Sequence, residues 1–470
     1  MSRDVAVIGA GVSGLAVAEE LAARGCDVQV LERQTAIGGK ACSQRFDGFL
    51  MEHGPTTMNA AQRGAMERLA TLELTGCAIG LGAGVQRRYL HDGGALHAVP
   101  LHRAGFLLSP YLSLRGRLSL LAEALRPPRR DAGEESVQAF ITRRFGREFA
   151  QKVMEPMVAG VFMGDSRALS VGAAFPKLVE MERRFGSVLR GALAARRGRE
   201  PGRRLFSWRG GIGTLPGALA RRLGGRIATG IAVTAISPRP GGFAIATAGH
   251  GTLHCRAVVL AVQPHVAAAL LEGADPQGAE ALAGIASPPV AVVFLGYRRA
   301  QVAHPLDGLG YLTTRAEGQI ISGVQFQSTM FEGRAPRGHV ALSCYVGGAR
   351  NPALARLPAS ELACAVHREL AQTLSITGEP AVSRVRHWPL GLPQYDLGHA
   401  ARRSVIEQAH QRLPGLFLTG NYLDGVSVTN CLERARGVAQ NVLRGLEAQE
   451  TGIRARNGVS WASGAGRVPG

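Results

Sequence analysis

The stretch VAVIGAGVSGLAVAEELAARGCDVQVLER, from Val5 to Arg33, holds Gly9, Gly11 and Gly14 in the spacing GxGxxG between two apolar runs. Residues of these types at this spacing handle a diphosphate. The first glycine permits a tight turn, the second lets a pyrophosphate reach the backbone, and the third allows the next helix to pack closely. Val12 and Ser13 open that helix, so its free N–H groups and positive dipole end face the same anion. Glu32 ends the second run, where a carboxylate accepts hydrogen bonds from both ribose hydroxyls and repels a phosphorylated ribose. FAD or NAD therefore fits, and NADP does not. The sequence has no HExxH, no paired histidine cluster and no GxSxG element. Neither a metal site nor a catalytic side chain is predicted, and the redox chemistry falls to the cofactor.

A strand–turn–helix–strand unit must position these residues. Val5 to Ile8 is a β-branched run suited to a buried parallel strand, Val12 to Arg24 is the helix, ending at Gly25, and Asp27 to Leu31 is the second strand. Ser207 to Ile236 supplies a glycine-rich loop, an amphipathic helix and a strand containing Val233, and Ala257 to Pro264 supplies another buried strand. In Leu413 to Leu443, a strand (Leu416 to Thr419) and a turn (Gly420-Asn421) precede a helix opened by Gly425 to Val428. Leu432, Ala435, Val438, Ala439 and Val442 fall on one side of that helix. Two regions interrupt these pieces. Leu101 to Phe206 is helical in pattern, with Leu114, Leu118, Leu121 and Leu125 at helical spacing, and Ile285 to Tyr395 alternates strands and turns around a helix near Ala359 to Gln372. The tail after Gln449 reads as disordered.

Composition sets outer bounds. A chain of 470 residues with 46% hydrophobic content exceeds what one core supports, so two or three lobes are expected. No apolar run reaches the roughly 18 to 20 residues that span a bilayer. Met1 to Asp4 leads straight into the first strand without the zones of a secretory signal, which predicts a cytoplasmic protein. The seven cysteines are scattered, with no CxxC pair, and indicate neither disulfides nor zinc. Net charge is +19, and only Lys40, Lys152 and Lys177 are lysine, an arginine bias that a GC-rich coding sequence also produces. No nucleic-acid partner is expected, because no basic stretch is interleaved with aromatics and no nucleic-acid-binding signature is present. In RAGFLLSPYLSLRGRLSLLAEALRPPRR, Phe106, Leu107, Leu108 and Tyr111 read as exposed beside Arg103, Arg115 and Arg117. Two readings of it stand side by side, an anionic membrane interface and a buried helix.

The run ERQTAIGGKACSQRFDGFLMEHGPTT separates FAD from NAD. It carries Arg33, the glycine pair Gly38 and Gly39 followed by Lys40, and the turn Gly54-Pro55-Thr56, and it resembles the extended FAD fingerprint of the amine oxidase and protoporphyrinogen oxidase superfamily. The resemblance implies that Gly39 and Lys40 lie against pyrophosphate and ribitol and that the Gly54 turn lies by the isoalloxazine. It also implies that Val233 meets the adenine through its backbone and that Gly420, Asn421, Val426, Ser427 and Val428 border the flavin. A helix start aimed there stabilises negative charge on the reduced ring.

EPMVAGVFMGDSRALSVGAAFPKLVEMERRFGSVLRG, RRYLHDGGALHAVP, RAPRGHVALSCYVGGARNP, GLPQYDLGH and LPGLFLTGNYLDGVSV together resemble oxygen-dependent protoporphyrinogen oxidases, in the same order and over nearly all of residues 1–445. The fold implied is α/β, a discontinuous Rossmann-like FAD-binding domain (1–85, 207–275 and 405–445) with a mixed-sheet substrate domain (86–100 and 276–404). An inserted α-helical lobe (101–206) would associate with membrane, and 450–470 would be a disordered tail. Arg88 corresponds to the family's propionate-binding arginine, a guanidinium fork at the edge of an apolar pocket. Gly160 corresponds to the glycine whose carbonyl faces the pyrrole N–H groups, and Leu312 and Tyr345 to apolar positions around the macrocycle. Leu309 stands where some members have Phe, and Tyr345 where others have Phe or Met.

The activity implied is oxidation of a porphyrinogen by molecular oxygen through FAD. Six electrons leave in three two-electron flavin cycles, each producing hydrogen peroxide, and the enzyme contributes proximity and orientation. Coproporphyrinogen III, with four carboxylates, is the alternative substrate. A carotenoid-type desaturase would not require Arg88. An amine oxidase would place a lysine in PPVAVVFLGYRR and an aromatic pair near Tyr422, and neither is present. A non-catalytic flavoprotein would hold a flavin that no substrate bleaches. Oligomeric state, a homodimer included, stays open.

Overall fold

The apolar run around Val5 is the centre of a seven-stranded sheet. Its strand, Ser2–Ile8, pairs in parallel with Val28–Glu32, which pairs in turn with Ile227–Thr229. On its other side lies Gly251–Leu260, also parallel. That ten-residue strand does double duty: residues 251–255 pair with the antiparallel ribbon Gly242–Thr247 and Val233–Arg239, while Val258 to Leu260 pair with Leu416–Leu418. Its central members read as unbroken apolar runs because helices cover both faces. Val12–Ala22 and Val428–Val459 pack on one face through Leu15, Val17, Leu432, Ala435 and Val442. The computed structural model describes residues 2–60, 62–99, 109–129, 133–196, 205–315 and 319–459.

A second seven-stranded sheet takes its edge hairpin, Arg87–Asp92 and Ala95–Val99, from early in the chain. Gly308–Thr313 pairs in parallel with that hairpin, and Ile321–Phe326, His339–Gly347, Val290–Arg298 and Val382–Trp388 follow, antiparallel. Register and the period of two sort its side chains onto two faces. Tyr89, Tyr311, Val324, Cys344 and Val293 fall on the face covered by Leu362, Val366, Leu370 and Leu374 of the helix Ala359–Leu374. The opposite face meets the hairpin Ser43–Phe46 and Phe49–Glu52, whose Phe49 and Met51 pack on Val292 and Phe294. The helix Pro276–Ala283, expected with the second insert, packs through Ala279 and Leu282 beneath the first sheet.

The inserted helices include Leu114–Leu121, Val137–Phe145, Glu155–Phe162, Pro176–Phe185 and Val188–Arg196. A buried ion pair ties them together. Glu123 accepts Arg144 Nε at 2.8 Å, the Ser187 hydroxyl at 2.5 Å and the amides of Val188 and Leu189 at 2.9 and 3.1 Å, and neither charged side chain reaches solvent.

Two expectations are corrected. Tyr111, read as exposed, is buried, its hydroxyl 3.3 Å from Asp92 Oδ2 and 3.2 Å from the Lys152 carbonyl; an aromatic with a polar tip found partners that an interface would otherwise supply. Arg103, Phe106, Leu107 and Leu108 lie outside the described residues. The tail is not irregular from residue 450, since the last helix continues to Val459. Helix extends cheaply once nucleated, and Glu450 there pairs with Arg256 at 3.0 Å. The leucine stripe at helical spacing faces solvent, with Leu114, Leu118, Leu121 and Leu125 at 73%, 64%, 56% and 82% exposure.

Replacing Glu123 by Ala leaves Arg144 only the longer ion pair to Glu182 Oε1 at 3.4 Å and strands three donors. The expected cost is about 3–5 kcal/mol, seen as a lowered thermal midpoint; an unchanged midpoint refutes the role given to the pair.

Candidate active site

Where the first strand ends, the backbone turns so tightly that side chains are excluded. Gly9 has φ +103°, and a Cβ there would lie 2.7 Å from the Ala261 carbonyl oxygen. A Cβ at Gly14 would overlap the Gly9 carbonyl, which is what lets helix and strand approach. Gly11 is different. A Cβ there would meet nothing within 4 Å, so the opening is kept for something outside the chain. Gly11 is also the N-cap of Val12–Ala22 and provides no capping side chain, leaving that helix start to an external acceptor. The second glycine pair closes over the same opening: Gly38 N–H donates to the Ala10 carbonyl at 2.8 Å, and Gly39, at φ +59°, would place a Cβ 3.4 Å from Gly11 Cα.

Glu32 Oε2 accepts the Ala10 amide and Oε1 the Gln34 amide, both at 2.8 Å, which fixes the carboxylate beside the groove with lone pairs to spare. Ile231 N–H donates to the Glu32 carbonyl at 2.8 Å, bringing the backbone near Val233 to the same end. Val12 and Ser13 are buried, and Arg33 is exposed at the rim.

At the other end lies the turn Gly54-Pro55-Thr56. A Cβ at Gly54 would come within 2.9 Å of the Lys40 carbonyl oxygen, and the buried Thr56 hydroxyl has no hydrogen-bond partner among the described residues. Trp388 Nε1 donates to the His53 carbonyl at 2.7 Å, and its ring carries the Arg386 guanidinium at 4.5 Å and Lys40 Nζ at 5.9 Å. Lys40 Nζ also donates to the Gly391 carbonyl at 2.6 Å, and burial lowers its pKa to about 8. Beneath the turn, Glu52 is fully buried against Arg334 Nη1 at 3.0 Å and the Ile212 amide at 3.0 Å; burial outweighs these partners and pushes its pKa up to about 7. From the far side come Gly420, Asn421 and the Val428 helix start. Ser427 caps that helix by accepting the Asn430 amide at 3.1 Å, Val426 borders the apolar cluster of the helical lobe, and the buried Thr419 hydroxyl is unpartnered. Two orphaned hydroxyls, an uncapped helix start and a side-chain-free opening fit a dinucleotide spanning from Glu32 to Gly54.

The face of the second sheet turned toward this turn carries Arg88, Leu90, Leu312, Gly323, Tyr345, Val292 and Arg386 in consecutive register. Tyr345 joins the two halves of the site, its hydroxyl 3.2 Å from the Gly54 carbonyl and 3.0 Å from Gln325 Oε1. Gly160, on the Glu155–Phe162 helix, lies so close to Leu312 that any Cβ would overlap the leucine methyl. Leu309 and Gly310 form a bulge that together opposes Arg88. Arg88 is half-buried, its pKa lowered by burial, and it has no acidic partner among the described residues. Thus Arg88, Leu312 and Tyr345 share one face of the sheet, and Gly160 packs directly on Leu312. Trp388, Arg386, Tyr395 and Gln394 were not singled out from the sequence; the run GLPQYDLGH marks the last two, but only as part of a resemblance.

A family model for flavin containing amine oxidoreductases matches residues 12–443. The chloroplastic protoporphyrinogen oxidase of Nicotiana tabacum is 31% identical over 473 residues, covering 93% of this chain and 85% of that protein. The coproporphyrinogen III oxidase of Bacillus subtilis is 25% identical, over 94% of this chain and 98% of that protein. A solved structure from Exiguobacterium sp. 255-15 superposes with TM-score 0.82 at 24% identity, covering 95% of this chain and 99% of that one.

Lys40 gives a pH prediction. In the apoprotein its ammonium is held down to about 8 by burial, whereas a bound diphosphate favours the charged form. FAD binding therefore takes up a proton above that pH. Affinity should be level below about pH 8 and fall about tenfold per unit above it, and Lys40→Met should flatten the profile in a fluorescence titration. A wild-type profile level to pH 9.5 refutes the assignment.

Proposed function

The chain belongs to the flavin containing amine oxidoreductases and, among them, to the protoporphyrinogen oxidases, and from that premise we propose that it oxidises protoporphyrinogen IX to protoporphyrin IX with FAD and molecular oxygen, in tetrapyrrole biosynthesis. Arg88 carries this reading: a half-buried guanidinium with no carboxylate partner among the described residues stands on the same sheet face as Leu90, Leu312 and Tyr345, whose hydroxyl reaches the Gly54 turn. FAD, when bound, supplies the two-electron chemistry, so the six electrons and six hydrogens removed match three molecules of oxygen reduced to hydrogen peroxide.

The chain's own residues bind and orient. Gly9, Gly11, Val12, Ser13, Gly14, Gly39 and Lys40 would hold the diphosphate, and Glu32, Arg33 and Val233 the adenosine end. Gly54, Pro55, Thr56 and the Gly420–Val428 segment would frame the ring. Arg88 would take one propionate bidentately at the slot's edge, where apolar contact alone gives a flat ring no orientation. Leu312, Leu309 and Tyr345 would line the macrocycle and exclude water, and Gly160, with no side chain, lets its helix approach Leu312 with the backbone turned to the substrate. Positioning of this kind is the enzyme's main contribution to a hydride transfer. The Bacillus subtilis relative favours coproporphyrinogen III as the second reading.

Anaerobic mixing of the holoprotein with each porphyrinogen, followed by air, tests the choice: the true substrate bleaches the flavin and becomes a fluorescent porphyrin, and bleaching by neither refutes both. Arg88→Ala should weaken the preferred substrate by about 2–4 kcal/mol. An unchanged Michaelis constant removes Arg88 from the site.

We further infer that the helical lobe docks on an anionic membrane surface from the cytoplasmic side. Among the described residues no helix is long and apolar enough to cross a membrane. What supports docking is the exposed Leu114, Leu118, Leu121 and Leu125 stripe, with Arg115 and Arg117 in the same helix. Wild-type protein should float with anionic vesicles at low salt, and Leu118→Ser with Leu121→Ser should abolish flotation. A protein that never co-floats, and whose stripe is instead covered in a homodimer by sedimentation, overturns the membrane reading.

A further inference from the structure

We propose that Tyr395, with Gln394 beside it, is a positioning residue that holds the flavin-side loop Gly420–Gly425 and the Gly160 helix at a set separation; this rests on the flavin reading above. Adjacent residues send their side chains to opposite partners. The Tyr395 hydroxyl donates to the Asn421 carbonyl at 2.6 Å and accepts the Gly425 amide at 2.8 Å, so one phenol closes both ends of the loop that leads into the Val428 helix. Gln394 Nε2 donates to the Phe162 carbonyl at 3.0 Å, in the last turn of the helix that carries Gly160. Both side chains are almost wholly buried, at 1% and 2% exposure.

The dipeptide is itself anchored. Ser170 N–H donates to the Tyr395 carbonyl at 2.8 Å and Leu397 N–H to the Ala168 carbonyl at 3.0 Å, stitching the segment to the helical lobe. The Tyr395 ring lies flat on His399, centroids 4.2 Å apart and planes 13° from parallel, which removes its lateral freedom. Burial pushes the phenol pKa upward, so the hydroxyl remains a donor. Deleting that hydroxyl would leave a carbonyl and an amide without partners inside the protein. The loop leads into the helix assigned to the flavin, and the Gly160 helix packs on Leu312 of the substrate sheet, so the dipeptide ties the two together, and the gap between flavin and substrate is what such a reaction depends on.

The test compares wild-type, Tyr395→Phe and Gln394→Met holoproteins. Tyr395→Phe should release FAD about tenfold faster, with an altered visible circular dichroism of the flavin and a shifted midpoint potential, while the porphyrinogen KM stays within about twofold. Gln394→Met should raise KM and leave the flavin dichroism as it was. Wild-type FAD release and dichroism in Tyr395→Phe overturn the proposal. If that variant does not fold, Gln394→Met decides alone, and an unchanged KM overturns it. A wild-type protein that retains no flavin fails earlier, on the flavin reading itself.

Discussion

Bare backbone brought up to a charged group is the constraint on which everything else here depends. At Gly9 and Gly14 the chain has no room for a Cβ, and at Gly11 it has room and leaves it open. Peptide N–H groups can approach a diphosphate only where no side chain intervenes, and a helix start without a capping residue is the electrostatic complement. The first sheet exists to hold that geometry. The turns at Gly9 and Gly420 and the acid Glu32 all stand at the carboxyl ends of its parallel strands, while the Gly54 turn is brought in by the separate hairpin of Ser43–Phe46 and Phe49–Glu52.

The second constraint is that two sheets built from interleaved pieces of chain must keep one slot between them. Arg334, from the connection between two strands of the second sheet, is fully buried between Glu52 and the Ser207 hydroxyl, the latter at 2.8 Å. Such a pair is weak evidence for stability, because the desolvation of both charges offsets their attraction. Its value lies in register: the pair is satisfied only when hairpin, loop and sheet are in their final places. Tyr345 on Gly54 and Tyr395 on Asn421 repeat that arrangement on either side of the slot, each a phenol joined to a flavin-side carbonyl.

Much of this was legible in the residues. Spacing gave the first helix and both flanking strands to within two or three positions, because β-branched runs and glycine punctuation act locally. What local pattern could not supply was direction. Leu114, Leu118, Leu121 and Leu125 have the spacing of a buried stripe, and periodicity says nothing of whether another element arrives to cover it. Tyr111 and Arg88 illustrate the same limit with opposite outcomes. The first reads as exposed and is buried on Asp92; the second is one arginine among many until the fold leaves it without an acid. Tyr395 was invisible for a related reason, since its partners are backbone groups, which have no sequence signature.

The strand order has a bearing on biosynthesis. Leu416–Leu418 completes the sheet begun by Ser2–Ile8, and the hairpin at Arg87–Val99 waits for Gly308–Thr313 before it has a neighbour. A ribosome therefore releases almost the whole chain before either sheet can close. Half-made sheets with unpaired edges are aggregation-prone, and nonlocal pairing is slow. Cofactor capture thus belongs to the final stage of folding, after the chain has left the ribosome.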